Sequence, residues 1–264
     1  MNHFIELNYS ENLDKYYLVI HTGSRNLGKQ VAEYYQTLAV KMLSGWDKIA
    51  EQQKELIERY KAEGRRSEIQ EAIAELHRNF RQQNPKLPKE LCYLQGQDME
   101  DYLHDAMLCK EFANTNREMI RDEILLDFPD IEITDSFCTL HNYIGEDRIM
   151  RKGAISCREG EKVIIPMNMR DGSLICIGKG NPDWNFSGPH GAGRLMSRTA
   201  AKQKLSLEEF KNSMAGIDTW SVSESTIDEA PQAYKPMEEI IEQVKDTVDI
   251  IDIIKPVYNF KASE

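Results

Sequence analysis

The chain has 264 residues, 41% of them hydrophobic, which suffices for one large domain or two small ones with a sizeable core. A net charge of −11 makes it a poor general nucleic-acid binder, because non-specific binding depends on neutralising phosphates; any such site has to be local, with Arg25, Arg151, Lys152, Arg194 and Arg198 as its candidates. No apolar run approaches the ~20 residues needed to span a bilayer, no leader pattern opens the chain, and five cysteines (Cys92, Cys109, Cys138, Cys157, Cys176) show no disulfide framework, so no membrane association and a reducing cytoplasm are expected.

Two strands are expected first. HFIELNY alternates, KYYLVIH is a continuous apolar run, and SENLD between them is a turn cluster. If the two pair antiparallel, His3 and His21 come to the same end of the sheet, where neutral imidazoles are either metal ligands or ordinary strand-end residues. Leu27 to Leu43 has helical spacing, and Gly45 is placed to end that helix. Residues 46–82 are rich in helix formers and broken at Gly64-Arg65-Arg66-Ser67, which predicts a protruding helical hairpin whose charges are solvated. His77 within it has a structural or exposed role. Asp98 to Asp127 reads as one long helix carrying Asn116 and Arg117, a surface pair or a cleft-facing one, and His104, which receives no function.

From Ile131 the composition turns β-prone, with strands expected at Phe137–Tyr143, Lys162–Ile165 and Ser173–Ile177 and a basic turn at Arg151 to Ala154. Asp135 is expected in a turn and Cys138 buried in a strand. Asn185 to Arg198 reads NFSGPHGAGRLMSR. A helix starting there would direct free N–H groups at an anion, with Arg194 and Arg198 on one face for phosphate and His190 placed to attack phosphorus; a glycine-rich turn with a capping histidine is the plainer alternative. Ser206 is expected to cap a short helix packed through Leu205 and Phe210, Met237 to Val248 to form another, and IIKPVYNFKASE to end the chain extended. The whole is expected to be one α+β unit, residues 1–264, with a helical insertion at about 46–82.

HGAGRLMSR together with MNHFIE, HTGSRNLG, HNYIGEDRIMRKGA, IIPMNMRDGS, GKGNP and DEAPQAYKP resembles the RtcB family of GTP-dependent RNA-splicing ligases, from the first residue to the last. The resemblance implies an RtcB-like ligase fold of mixed sheets with surrounding helices. It also implies two Mn²⁺ ions and a histidine that takes GMP from GTP. That histidine passes GMP to an RNA 3′-phosphate, or to a 2′,3′-cyclic phosphate after its hydrolysis, and a 5′-hydroxyl then seals the strands in tRNA splicing or RNA repair. By resemblance the nucleophile falls on His190 and three metal ligands on His3, His21 and His141. Nucleotide contacts fall on Asn2, His3, Phe4, Ile5, Glu6, His141, Asn142, Pro166, Met167, Asn168, Met169, Ser173, His190, Gly191, Ala192, Gly193 and Lys261. Glu6 would accept from guanine N1 and N2, Lys261 would donate to O6, and Phe4 would offer the base an apolar surface. RNA ends and an archease-like activator are the implied partners.

Two departures stand out. The family's aspartate and cysteine ligands, three apart, lie upstream of its NHFIE motif, where this chain begins, and Asp135/Cys138 is in the wrong place to replace them. The chain is therefore expected to be either a fragment or one completed by a separate N-terminal segment as a partner. The family's P-G-S-M loop reads Pro166-Met167-Asn168-Met169, where Asn168 still donates a hydrogen bond. Two further readings stay open: a non-catalytic homologue or subunit that binds nucleotide or RNA, and a metal-dependent phosphohydrolase using the same histidines.

Overall fold

A computed structural model of the chain describes residues 3–83 and 87–261. Two compact units are present, Met1–Gly23 with Lys110–Glu264, and Ser24–Cys109.

The second unit is helical. It holds α1 (Arg25–Ser44), α2 (Trp46–Ala62), α3 (Ile69–Gln83) and the start of α4 (Gly96–Leu126), which runs on into the first unit. Gly45 ends α1 with φ +66, the left-handed conformation that glycine adopts without a Cβ penalty. The hairpin of α2 and α3 forms where the helix-former run breaks at Gly64, and His77 Nε2 meets Gln53 Oε1 across it at 2.9 Å. Tyr35, donating to Asp105 at 2.8 Å, ties α1 to α4.

The first unit carries the strands: β1 (Phe4–Ser10), β2 (Lys15–His21), β3 (His141–Ile144), β4 (Met150–Ser156), β5 (Lys162–Asn168), β6 (Gly172–Gly178), β7 (Ser187–Pro189), β8 (Asp218–Thr219) and β9 (Val248–Lys261). One sheet runs β2-β1-β9-β6-β5, with β8 parallel to β9; the other runs β3-β4-β7. The architecture is α+β. β9 is the central strand of the larger sheet, and Pro256 is tolerated there because the β1–β9 register shifts between Leu7 and Asn8. Short helices α5 (Arg198–Lys204), α6 (Leu207–Ser213) and α7 (Met237–Gln243) complete the unit. Ile165, Leu174 and Cys176 form a core with Ile240 and Val244, and Phe210 centres a second core with Met169 and Met214. Ser206 caps α6 through a full capping box with Glu209.

Several local expectations are corrected. Arg151 to Ala154 is not a turn but the middle of β4, which pairs on both sides. The strand expected from Phe137 begins only at His141; Cys138 lies outside it and is exposed. The helix expected to Val248 stops at Gln243, because Val248 already pairs with Gly178 in β9. No helix begins at the HGAGR segment. α5 begins at Arg198 under a Ser197 cap, so the glycine-run amides are not a helix N-terminus, and Ala192 N–H donates instead to Pro166 O at 3.1 Å.

Candidate functional site

Strand register gathers the histidines. β1 and β2 pair antiparallel with Phe4 opposite His21, which brings His3 to the same end. His3 Nδ1 meets Thr22 Oγ1 at 2.7 Å, and Arg117 donates to Thr22 O at 2.7 Å, so α4 braces the turn that follows His21. In the smaller sheet, Ala154 opposite Pro189 places His190 beside Gly153, and His190 Nδ1 lies 2.8 Å from Gly153 O. A carbonyl only accepts, so Nδ1 carries a proton, and in the neutral tautomer that this contact selects the lone pair is on Nε2. Gly153 has φ +65, and its N–H donates to Asn142 Oδ1 at 2.7 Å across the irregular β3–β4 register.

The rings form a continuous row. Phe4 and His21 stack at 4.8 Å between centroids, His21 and His141 at 5.3 Å, and His141 and His190 lie 5.0 Å apart. Burial, then the neighbouring His141 and His3, press the His21 pKa down to about 3. Burial and the nearby His190 take His141 down to about 4, against a partial offset from the Asn142 side chain. Both are therefore neutral near pH 7, each ring carrying a lone pair on one nitrogen. Their Nε2 atoms lie 3.5 Å apart, and His141 Nδ1 is buried without a hydrogen-bond partner. Two imidazole nitrogens sharing one tetrahedral ion at ~2.1 Å would be about 3.4 Å apart, so this pair fits two ligands of one divalent cation. Among the described residues no group of three or more His, Cys, Asp or Glu gathers to hold an ion. The fit thus extends to a pair of donors.

At the Phe4 end of the row stands a charged cluster. Lys261, opposite Phe4 in the β1–β9 register, places its ammonium 5.8 Å from the Phe4 ring centroid and pairs with Glu229 at 2.7 Å. Glu229 also accepts from Tyr234 and faces Arg194 at 3.6 Å and Arg198 at 3.4 Å. Asp228 faces Arg198 at 3.8 Å and Lys202 at 3.6 Å. The arginines converge without sharing a helix face: Arg194 is held by its bridge to Tyr234, and Arg198 opens α5. Glu229 and Tyr234 received no role from the sequence, although both lie in its DEAPQAYKP stretch; an adjacent acidic pair between basic segments was the available signal.

The other expected contacts are distributed unevenly. Glu6 is buried, with Asn259 donating to one carboxyl oxygen and Asn8 to the other at 3.4 Å; burial raises its pKa to about 7, partly offset by Lys261. Ile5 shares β1 with it. Pro166 receives Ala192, and a Cβ on Gly191 would come within 3.0 Å of Pro166 O, so the glycine lets the HGAG loop close on β5. Asn168 accepts from the Arg170 and Asp171 amides and donates to Asp171, which closes the β5–β6 turn. Met167 and Met169 are buried in the two cores, and Ser173 Oγ is buried without a partner. Arg151 is inward and held by Asp147 at 3.0 Å, while Lys152 is exposed on β4. Arg25 is exposed at the start of α1 in the helical unit. Asp135 pairs with Lys162. Asn2 lies outside the described residues.

The candidate site is thus a ring row with a histidine of fixed orientation at one end, a neutral imidazole pair within it and a lysine–arginine cluster at the Phe4 end. Residues 1–262 match the family model described as "tRNA-splicing ligase RtcB", and the chain belongs to the RtcB family. It is similar to the RNA-splicing ligase RtcB of Escherichia coli K12, 28% identical over 275 residues, covering 97% of this chain and 58% of that protein. The tRNA-splicing ligase RtcB of Aeropyrum pernix is 24% identical over 289 residues, covering 90% of this chain and 53% of that protein. The RNA-splicing ligase RtcB of Mycobacterium tuberculosis is 41% identical over 87 residues, covering 31% of this chain and 20% of that protein. The chain thus spans little more than half the length of the relatives it matches most fully. No helix among the described residues is long and apolar enough to cross a membrane.

Proposed function

We infer that this chain carries the nucleotidyl-transfer site of an RNA ligase that joins 3′-phosphate or 2′,3′-cyclic phosphate ends to 5′-hydroxyl ends. The observation that carries the reading is His190: its Nδ1–H is held by Gly153 O, which leaves Nε2 as the nucleophile. In the first step Nε2 forms a bond to the α-phosphorus of GTP, the bond to the bridging oxygen breaks, and pyrophosphate leaves. An oxygen of the RNA 3′-phosphate then attacks that phosphorus and breaks the N–P bond, returning the electron pair to Nε2. Finally the 5′-hydroxyl, losing its proton, attacks the RNA phosphate and GMP leaves. Arg194 and Arg198, which converge on Glu229, would compensate the anionic ends and supply the local positive charge that a chain of net −11 needs.

His21 and His141 would hold Mn²⁺, with His3 the third expected ligand; an ion there would neutralise triphosphate charge. Lys261 above Phe4 is the group that would read guanine O6. The test is joining of a 3′-phosphate RNA to a 5′-hydroxyl RNA with GTP and Mn²⁺. Joined product that disappears in His190→Ala is expected; joining that survives His190→Ala contradicts the reading. A non-catalytic nucleotide- or RNA-binding role is favoured by one observation, the absence of a three-residue ligand group among the described residues. Nucleotide binding without joining by the intact protein would decide for it.

A further inference from the structure

We propose that Glu229 is a positioning residue that holds Lys261 at the base end of the site and couples it to the phosphate-binding arginines. The proposal rests on the guanine-reading role inferred for Lys261 and deepens it. The geometry is a hub. One carboxyl oxygen of Glu229 accepts from Lys261 at 2.7 Å and from Tyr234, and the other faces Arg194 and Arg198. The backbone builds the hub from two segments: Leu195 N–H donates to Ala233 O at 2.8 Å and Lys235 N–H to Gly193 O at 3.1 Å, so the HGAGR loop lies along residues 233–235. Arg194 stacks over Tyr234 at 5.0 Å.

Burial makes this arrangement consequential. The Glu229 side chain is 5% exposed and that of Lys261 9%, whereas Arg198 is 35% exposed. Burial alone would raise the Glu229 pKa, but the Lys261 ammonium, its hydrogen bond and that of Tyr234 carry it below the ordinary value. A carboxylate so placed cannot serve as a solvated surface charge, and the ammonium it holds has a fixed place above Phe4. A lysine stem with four rotatable bonds would otherwise sample many positions, and a group that samples many positions discriminates poorly between a carbonyl and an amino substituent. The other carboxyl oxygen compensates the two arginines in the same way, so loss of Glu229 would disturb base reading and phosphate binding together but with opposite signs.

The first arm of the test needs no nucleotide. Treat the protein with an acetyl N-hydroxysuccinimide ester and compare the acetylation rates of Lys261 and Lys255, on the same strand and 64% exposed. Lys261 should react roughly tenfold more slowly than Lys255, and Glu229→Gln should remove most of that protection, as expected from losing one charge-assisted hydrogen bond. Equal rates in the parent overturn the proposal even if Glu229→Gln fails to fold. So does protection that survives Glu229→Gln.

The second arm measures equilibrium binding of GTP, ATP and inorganic tripolyphosphate with Mn²⁺. Glu229→Gln should cut the GTP preference over ATP roughly tenfold, and tripolyphosphate affinity should not fall, because a negative charge has been removed from beside the arginines. A purely structural role would weaken all three ligands alike and overturns the proposal. Glu229→Gln and Lys261→Met combined should be no worse for GTP preference than Lys261→Met alone. If Lys261→Met itself leaves the preference intact, the guanine reading of Lys261 has failed, and with it the coupling to base recognition, while the acetylation rates still report whether Glu229 holds Lys261.

Discussion

Glu6 and the buried histidines load the protein with opposite pH sensitivities. Glu6 has its pKa raised from 4.5 to about 7, so folding favours its protonated form. That contribution is complete below pH 4.5 and is lost as pH rises towards 7, at no more than about 1.4 kcal/mol per pH unit. Asn8 Oδ1 and Asn259 Oδ1 are buried beside it without donors, and a protonated carboxyl supplies one after an amide turns. Glu6→Gln should therefore match the parent in thermal stability near pH 4.5 and exceed it at pH 8; an unchanged difference across that range contradicts the assignment. His21 and His141 act the other way. Their pKa values are lowered to about 3 and about 4, so the stability they contribute is complete above pH 6.5 and lost as pH falls towards 4. Thermal scans of His21→Gln should show a flatter acid limb than the parent; His141 is only partly enclosed, and solvent screening reduces its share. At this scale antiparallel pairing foretold only that His3 and His21 share a sheet end; His141 and His190 were grouped with them by the family resemblance. The resemblance put Glu6 at the guanine edge but did not show that its carboxyl is buried inside the sheet between Asn8 and Asn259, since both situations are written with the same letter.

Alternation identifies a strand without saying which face is inward. In β1 the buried residues are Glu6, Asn8 and Ser10, while Leu7 is 37% exposed; in β9 Asp252 and Asn259 are buried while Ile251 and Phe260 are exposed. Apolar-in patterning would have reversed the assignment in β1, whereas in β9 Asp252 shares its inward face with buried Val248 and Ile254. Within the inward polar face Asn259 and Asn8 both donate to Glu6, which satisfies its carboxyl inside the sheet. The HGAGR segment shows the other limit. Four-residue spacing of Arg194 and Arg198 suggested one helix, but Pro166 O captures the Ala192 amide and Tyr234 captures Arg194 before helix can start. Such long-range partners leave no mark on local spacing. Local chemistry was sufficient at α6. Ser206→Ala removes the hydroxyl that accepts from Glu209 N–H at 3.1 Å and should cost about 1 kcal/mol, read as a lowered urea midpoint with an unchanged slope. No loss of stability would show the cap to be idle.

The molecule divides into a helical unit and an α+β unit, and the four site histidines, Lys261 and the Arg194–Arg198 cluster all belong to the α+β unit. Cations are concentrated locally although the chain is negative overall: Arg194, Arg198, Lys202 and Lys261 surround two buried carboxylates, Asp228 and Glu229. Family membership and the α+β class were both legible from motifs dispersed along the chain. The division at residues 24–109 was not, because the reading confined the helical insertion to the charged stretch 46–82 and assigned the amphipathic α1 to the body. The central claim is that His190 Nε2 becomes covalently bonded to GMP. The measurement is to incubate the protein with [α-³²P]GTP and Mn²⁺, digest it, and map the labelled peptide. An acid-labile, base-stable label on the peptide containing His190, absent from His190→Ala, is the predicted result. Label of equal intensity in His190→Ala, or mapped to another peptide, would contradict it.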